Sequence, residues 1–257
     1  MDPAAVLALF DARMRADPPP KPGLERTWFD GVLRTTGSYD FIDWWDFPAE
    51  RAEAIAEREA AFFKPRSAEL EWKVYSHDGP PELGRALTLA GFEPQESETL
   101  LVLDIAVAAI DAQAPKGVEI RRVRDEPGVA DYAAASGLAF GRDETERARR
   151  FMARLGDREQ RLYVAYEDGE PIAAGHLEFN EDRPFAGLWG GGTVPARRGR
   201  GVYRALVAAR AAEARGRGVR YLTVDARETS RPILERLGFQ PLATVRGWTL
   251  GGPLSNS

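Results

Sequence analysis

The chemistry-bearing residues of the 257-residue chain crowd into one stretch, Thr193-Val194-Pro195-Ala196-Arg197-Arg198-Gly199-Arg200-Gly201-Val202-Tyr203, which runs into an apolar-periodic segment. A helix starting there leaves four main-chain N–H groups unpaired and carries about half a positive charge at its first turn, a ready site for pyrophosphate. Gly199 and Gly201 allow the main chain to approach phosphate oxygens with no Cβ in the way. Arg197, Arg198 and Arg200 add charge. The turn is not a nucleotide P-loop, because G-x-x-x-x-G-K-[ST] is absent, and not a dinucleotide fingerprint, because the three-glycine spacing is absent.

Composition removes several other chemistries. The chain has no Cys and two His, His77 and His176, so there is no thiol nucleophile, disulfide or thiolate metal site, and no metal is expected. The first 20 residues lack a basic region ahead of their apolar run, and no stretch approaches the roughly 20 apolar residues of a membrane span. A cytoplasmic address is the expectation, with no membrane partner. Residues 1–110 carry 11 Lys and Arg against 20 Asp and Glu, while residues 111–257 carry 24 against 20. So small a basic surplus argues against a nucleic-acid reader and for a small anionic ligand in the second half.

The elements that must position the Gly-Arg turn follow from pattern. Residues 3–16 place Val6, Leu7, Phe10 and Met14 on one helical stripe, and the prolines of 17–23 make a stiff connector. Helices are predicted at 48–63 and 82–90, strands at 69–76 and 98–105, and a crossover at 106–117. The second half reads as a strand at 119–123, helices at 127–139 and 143–155, and strands at 161–167, 171–179 and 185–194. Asp168-Gly169 marks a hairpin between the first two of that trio. A helix over about 201–215, a strand at 219–224, a helix over about 230–237 and a strand at 248–250 complete it. LGRALTLAGFEP at 83–94 also echoes RPILERLGFQP at 231–241. A Gly C-cap before an apolar residue is common, but matching neighbours on both sides point to a worn duplication.

In that setting the sequence resembles the GNAT superfamily of acyl-CoA-dependent N-acetyltransferases. Arg198-Gly199-Arg200-Gly201-Val202-Tyr203 matches the family motif Q/R-x-x-G-x-G/A except at its last position, where Tyr203 replaces a small residue. Val194-Pro195 before the turn, the order of elements and ILERLGF at 233–239 extend the likeness over about 117–250. The resemblance implies an α+β fold, a mixed and mostly antiparallel sheet flanked by helices, with a smaller α/β N-terminal unit that is a degenerate duplicate. The expected division is 1–23 (helix and connector), 24–110 (degenerate unit), 117–250 (acetyltransferase domain) and 251–257 (tail).

The resemblance also implies acetyl-CoA as donor. Its pantetheine arm would lie between the strands at 185–194 and 219–224, bonded near Thr193 and Val194, with its pyrophosphate on Arg198, Gly199, Arg200, Gly201, Val202 and Tyr203. The implied reaction is direct attack of a primary amine, of a small molecule or peptide, on the thioester. It needs a base for the amine proton and an acid for the leaving thiolate. Many relatives place a tyrosine acid at the position of Leu234, and leucine donates no proton; the alternatives are Ser230, Tyr203 or departure of the thiolate unaided. The strand at 185–194 carries no carboxylate, so Asp225 is the first candidate base, followed by Glu178 and His176. The structural readings stand beside these: Asp225 as a turn cap, Ser230 as a helix cap, Glu178 as a solvated residue. The alternative function is a non-catalytic acyl-CoA-binding or regulatory module.

In the first half, Trp28, Phe29, Phe41, Trp44, Trp45, Phe47 and Trp72 are expected to be mostly core. The functional alternative is an aromatic wall with Asp40, Asp43 and Asp46 as an anionic rim, which with the acidic net charge would suit a cationic acceptor. His77-Asp78 reads as a turn cap rather than a catalytic pair.

Overall fold

In a computed structural model, residues 1–66, 69–108, 110, 112–180 and 182–251 are described. The chain begins with α1 (Pro3–Phe10), a π-helical turn at Asp11–Ala16, and strands β1 (Leu24–Phe29), β2 (Val32–Gly37) and β3 (Asp40–Trp45). Next come α2 (Ala52–Phe63), β4 (Leu70–Tyr75), α3 (Leu83–Leu89), β5 (Glu93–Pro94) and β6 (Glu98–Asp104). Then follow β7 (Val118–Arg122), α4 (Glu126–Phe140), α5 (Thr145–Ala153), β8 (Gln160–Glu167), β9 (Glu170–Phe179) and β10 (Phe185–Thr193). The chain closes with α6 (Val202–Gly216), β11 (Tyr221–Ala226), α7 (Arg231–Arg236) and β12 (Gln240–Leu250). Of the tail expected at 251–257, all but Gly251 lies outside the described residues. No helix is long and apolar enough to cross a membrane.

The described residues divide into two compact units, one of Met1–Leu100, Ala226–Glu228 and 241–251, the other of Leu101–Asp225 and Thr229–Gln240. In the second unit the strand order is β6-β11-β10-β9-β8-β7, with β7 to β10 antiparallel and β10 parallel to β11. Val123, Val129, Tyr132, Phe151, Leu162 and Val164 fill one face under α4 and α5. Val118, Tyr163, Ile172, Val202 and Leu206 fill the other under α6. Local signals are obeyed: Asp125 caps α4 by accepting from the Gly128 N–H at 3.0 Å, and Gly141 ends it at φ +68°. Asp168 and Gly169, both at positive φ, turn the β8–β9 hairpin.

The first unit repeats this plan. Its strands run β1-β2-β3-β4-β12, antiparallel except for β3 and β4, which pair in parallel at Asp40↔Leu70, Phe41↔Glu71 and Ile42↔Trp72. The predicted echo is structural: Phe92 N–H bonds Leu87 O after Gly91 (φ +93°), and Phe239 N–H bonds Leu234 O after Gly238 (φ +95°).

Two expectations for this unit are corrected. The segment 24–45, given no elements in the sequence reading, is a three-stranded meander whose first turn is Asp30-Gly31. Of the seven aromatics, Trp45, Phe47 and Trp72 are core, Phe41 and Trp44 are half-buried, and Trp28 and Phe29 are exposed at 51% and 46%. Phe29 stays outside because it stacks on Arg34, centroid distance 4.2 Å, while the Arg34 guanidinium is held by the buried Glu59 at 2.6 and 2.8 Å. Of the three aspartates, Asp46 is exposed, Asp43 half-buried and Asp40 buried, so they do not form one exposed rim. Asp40 is buried, accepting from Gly37 N–H at 3.0 Å and pairing with Arg66 at 3.3 Å. Desolvation pushes the Asp43 carboxyl up to about 6 against the pull of Arg15.

Candidate active site

Three parallel pairs, Phe185↔Tyr221, Ala186↔Leu222 and Gly187↔Thr223, join β10 to β11, and there the pairing ends. Beyond Gly187, β10 bulges between Trp189 and Gly192, with Gly190 and Gly191 in the bulge and Gly192, paired with Ala174, closing it. A bulge bends its strand and re-aims what it carries. The result is a split beside β10 that leads along the strand to the turn before α6.

At that turn, Gly199 (φ +76°) and Gly201 (φ +89°) occupy the left-handed region that side chains disfavour. Around Gly199 a Cβ would meet nothing within 4 Å. Gly201 caps α6 with no side-chain hydrogen bond, and helical bonding begins with Ala205 N–H to Gly201 O at 3.1 Å. The first amides of α6 therefore face outward, as an anion requires. The arginines divide their work. Arg198 braces the turn, donating Nε–H to Thr193 O at 3.0 Å and Nη2–H to Ala139 O at 2.8 Å. Arg197 and Arg200 both pair with Glu167, the first at 2.7 Å, and hold its carboxyl below the usual range, the Arg200 hydrogen bond contributing most. Val194 N–H bonds Ile172 O at 2.9 Å. Thr193 Oγ1 is buried with no hydrogen-bond partner in the protein. An orphaned hydroxyl at the mouth of the split and the open space around Gly199 are features that a phosphopantetheine ligand fits.

Strand register places the expected bases. Glu178 pairs with Gly187, which pairs in turn with Thr223, and His176 pairs with Trp189. Residues in register share a face of the sheet, and so do residues two apart. His176, Glu178, Thr223 and Asp225 therefore share one face, and the His176 ring meets Phe151 of α5 edge-on at 5.2 Å. Asp225 is two residues past the last β10–β11 pair, at the opening. Tyr203 approaches from the opposite side: its Cε2 stands 3.0 Å from where a Cβ on Gly191 would lie. Burial raises its phenol, opposed by Arg210, and keeps it protonated. Ser230 is the N-cap residue of α7 without a side-chain cap bond, and Leu234 is fully buried.

Sequence reasoning missed a second group of residues around the bulge. Tyr132 of α4 is 1% exposed, and its hydroxyl lies 3.2 Å from the position of a Gly190 Cβ; Arg147 Nη2 of α5 lies 2.8 Å from the same point. Arg210 of α6 is fully buried, donating Nη1–H to His176 O at 3.1 Å, with Nη2 3.1 Å from a Gly191 Cβ position. The signal was present in Gly190-Gly191-Gly192, since a strand glycine marks a bulge or a close approach.

Residues 129–239 match the model of the Acetyltransferase (GNAT) family. No curated protein sequence matches the chain. Among solved structures, a GCN5-related N-acetyltransferase from Kribbella flavida is 17% identical, with 98% of this chain and 95% of that one covered and a TM-score of 0.69. A functionally unknown conserved protein from Staphylococcus epidermidis is 12% identical, with coverages of 96% and 100% and a TM-score of 0.72. A tandem GNAT protein from the clavulanic acid biosynthesis pathway is 17% identical, with coverages of 98% and 95% and a TM-score of 0.63. At these identities the structures establish the fold, a mixed and mostly antiparallel sheet flanked by helices in which a tandem GNAT protein matches nearly the whole chain. The split strands and the Gly-Arg turn fall within residues 129–239, the segment that matches the GNAT acetyltransferase family model.

Proposed function

We propose that the protein is an N-acetyltransferase that moves an acetyl group from acetyl-CoA to a primary amine of a small molecule or peptide by direct attack. The observation that carries this reading is the continuity of the β10–β11 split with the outward amides of α6 at Gly199–Tyr203. Pyrophosphate would take the amides of Gly199, Arg200, Gly201, Val202 and Tyr203, and the pantetheine arm the β10 edge at Thr193, with Val194 beside it but its N–H committed to Ile172 O. That arrangement directs the thioester toward the Gly190–Gly192 bulge. Asp225 is the assigned base, at the opening and on the same face as Glu178, the second choice. Tyr203 is the assigned acid, because its protonated phenol lies against Gly191. Ser230 is a second candidate.

Buried Leu234 and a β10 without carboxylates favour the rival reading, a non-catalytic acyl-CoA-binding module. Calorimetric titration with acetyl-CoA and CoA, repeated with a pooled amine library while free thiol is monitored, separates the two. Binding with amine-dependent thiol release is the expected result. Binding without release across aminoglycosides, polyamines, amino acids and basic peptides would favour the module, and no binding would overturn the site.

A further inference from the structure

The bulge is lined on its α4–α5 side by donors that lack partners. Tyr132 Oη is buried and accepts and donates no hydrogen bond within the protein. Arg147 Nη1 and Arg142 Nη2 are likewise buried without partners. The carboxylate between the two arginines is Glu144, which is buried and already engaged: it accepts from Ser136 Oγ at 2.9 Å and Arg142 Nε at 2.6 Å, while Arg147 Nε stands off at 3.8 Å. Two guanidiniums against one carboxylate leave the cluster with a net charge of +1.

Buried polar groups are nearly always satisfied, so an orphan set asks what completes it. Tyr132 carries a donor hydroxyl at neutral pH, because burial raises the phenol more than the nearby Arg147 lowers it. Every other orphan in the cluster is a guanidinium N–H, which can only donate. The missing partner is therefore rich in acceptors, and the uncompensated charge makes it an anion. A planar carboxylate fits the guanidinium fork in both geometry and charge. Arg147 and Tyr132 converge on Gly190, at the end of the split where the thioester is directed.

Resting on the acetyltransferase reading, we infer that Arg147, Arg142 and Tyr132 form a subsite for a carboxylate carried by a substrate, on the acceptor amine or on the acyl chain. For an amine acceptor the substrate class is then amino-acid-like, with the amine and carboxylate on one small molecule. The subsite also accounts for Gly190, since any side chain there would fill the point on which both donors converge.

The test compares substrates that differ only in the carboxylate. In one arm acetyl-CoA is held fixed and phenylalanine is compared with phenethylamine, and lysine with cadaverine. In the other the amine is held fixed and succinyl-CoA is compared with butyryl-CoA. The expected result is a preference of about 10²-fold in kcat/KM for the carboxylate member in one arm, which also identifies its source. That ratio should collapse toward one in Arg147→Gln and fall partway in Tyr132→Phe, which keeps the ring packed on Phe151. Ratios near one in both arms, or ratios unchanged in the variants, overturn the subsite. If no pair turns over, the CoA complex is titrated with N-acetylphenylalanine and N-acetylphenethylamine; absent or equal binding overturns it as well. Failure to bind CoA at all overturns the acetyltransferase reading itself, a distinguishable outcome.

Discussion

Arg15 donates its Nε–H to the main-chain oxygen of Asp43 at 3.0 Å, on the edge of β3 just past its last pairing with β4. In the second unit the corresponding edge is that of β10 past Gly187, where the ligand cleft opens. Each unit thus has a parallel pair that separates after three residues, but in the first unit Arg15 is bonded across the edge that the split exposes. Arg15 lies over the Tyr75 and Trp44 rings at 4.0 and 5.1 Å and pairs with Asp11 and Asp78 at 2.7 Å each. Trp45 meets Trp72 edge-on at 5.6 Å. The connection from β3 to α2 is Asp46-Phe47-Pro48-Ala49-Glu50-Arg51, without a glycine. The first unit has the strands but lacks the phosphate turn, and Arg15, Trp44, Trp45 and His77 line only a small cavity beside them.

Replacing Arg15 should therefore unfold the first unit rather than open a second cofactor site. Arg15→Met leaves Asp11 and Asp78 without their cation in a site where Arg15 itself is 1% exposed. Removing one partner of a buried ion pair typically costs about 3–5 kcal/mol. Urea denaturation followed by tryptophan fluorescence should show that loss, with one CoA bound per chain before and after.

Asp43 predicts a pH dependence of the opposite kind. Its folded-state value of about 6 lies above the ordinary 3.8, chiefly through desolvation. The folded state therefore holds the proton more tightly than the unfolded state, and this group destabilises the fold progressively as pH rises between those two values. The groups around it are Arg15, Lys73, Arg26 and Glu71. Asp43→Asn should match the wild type near pH 3.5 and be more stable above pH 6, by on the order of 3 kcal/mol at most. Thermal melts at the two pH values check it, and equal stability at pH 8 would contradict the desolvated environment.

The second unit was legible because its chemistry sits where local rules act. Glycines at positive φ, a hairpin Asp-Gly and an uncapped helix start are written in the order of residues, and they located the turn and the parallel strand beside it. The first unit's meander was missed although Asp30-Gly31 carries the same turn signal as Asp168-Gly169. Its strands lack an alternating pattern, because Phe29 and Phe62 cover the Arg34 guanidinium where an apolar side chain would be expected. Tyr132 and Arg147 were invisible for a different reason. They belong to helices brought over the bulge by tertiary packing, and nothing in their spacing to Gly190 announces it.

At the Gly-Arg turn, two substitutions separate binding from bracing. Gly201→Glu places a carboxylate at the phosphate position and forces φ +89° on a residue with a Cβ, a strain of about 1 kcal/mol. CoA affinity should fall below detection by calorimetry while the protein remains folded. Arg198→Ala removes two hydrogen bonds to main-chain oxygens, Thr193 O and Ala139 O. It should lower stability by about 1–3 kcal/mol and weaken CoA binding through a loosened turn. Unchanged CoA affinity in the combined variant would refute the assigned site.

Glu167 tests whether Arg197 and Arg200 serve the ligand. Both side chains are partly exposed and both are held by this one carboxylate. Exposed ion pairs contribute little to stability, so Glu167→Gln should fold with a melting temperature close to that of the wild type. It frees two cations beside the outward amides of α6, and the local charge becomes more positive by one. CoA should then bind several-fold more tightly at low ionic strength. The gain should fade toward 0.5 M salt, where the Debye length falls to roughly 4 Å and released charges no longer reach the phosphates unless they touch them. A gain that persists at high salt would mean that the freed arginines contact the phosphates directly. Weaker binding at every salt concentration would mean that Glu167 holds the two arginines in the geometry the turn requires.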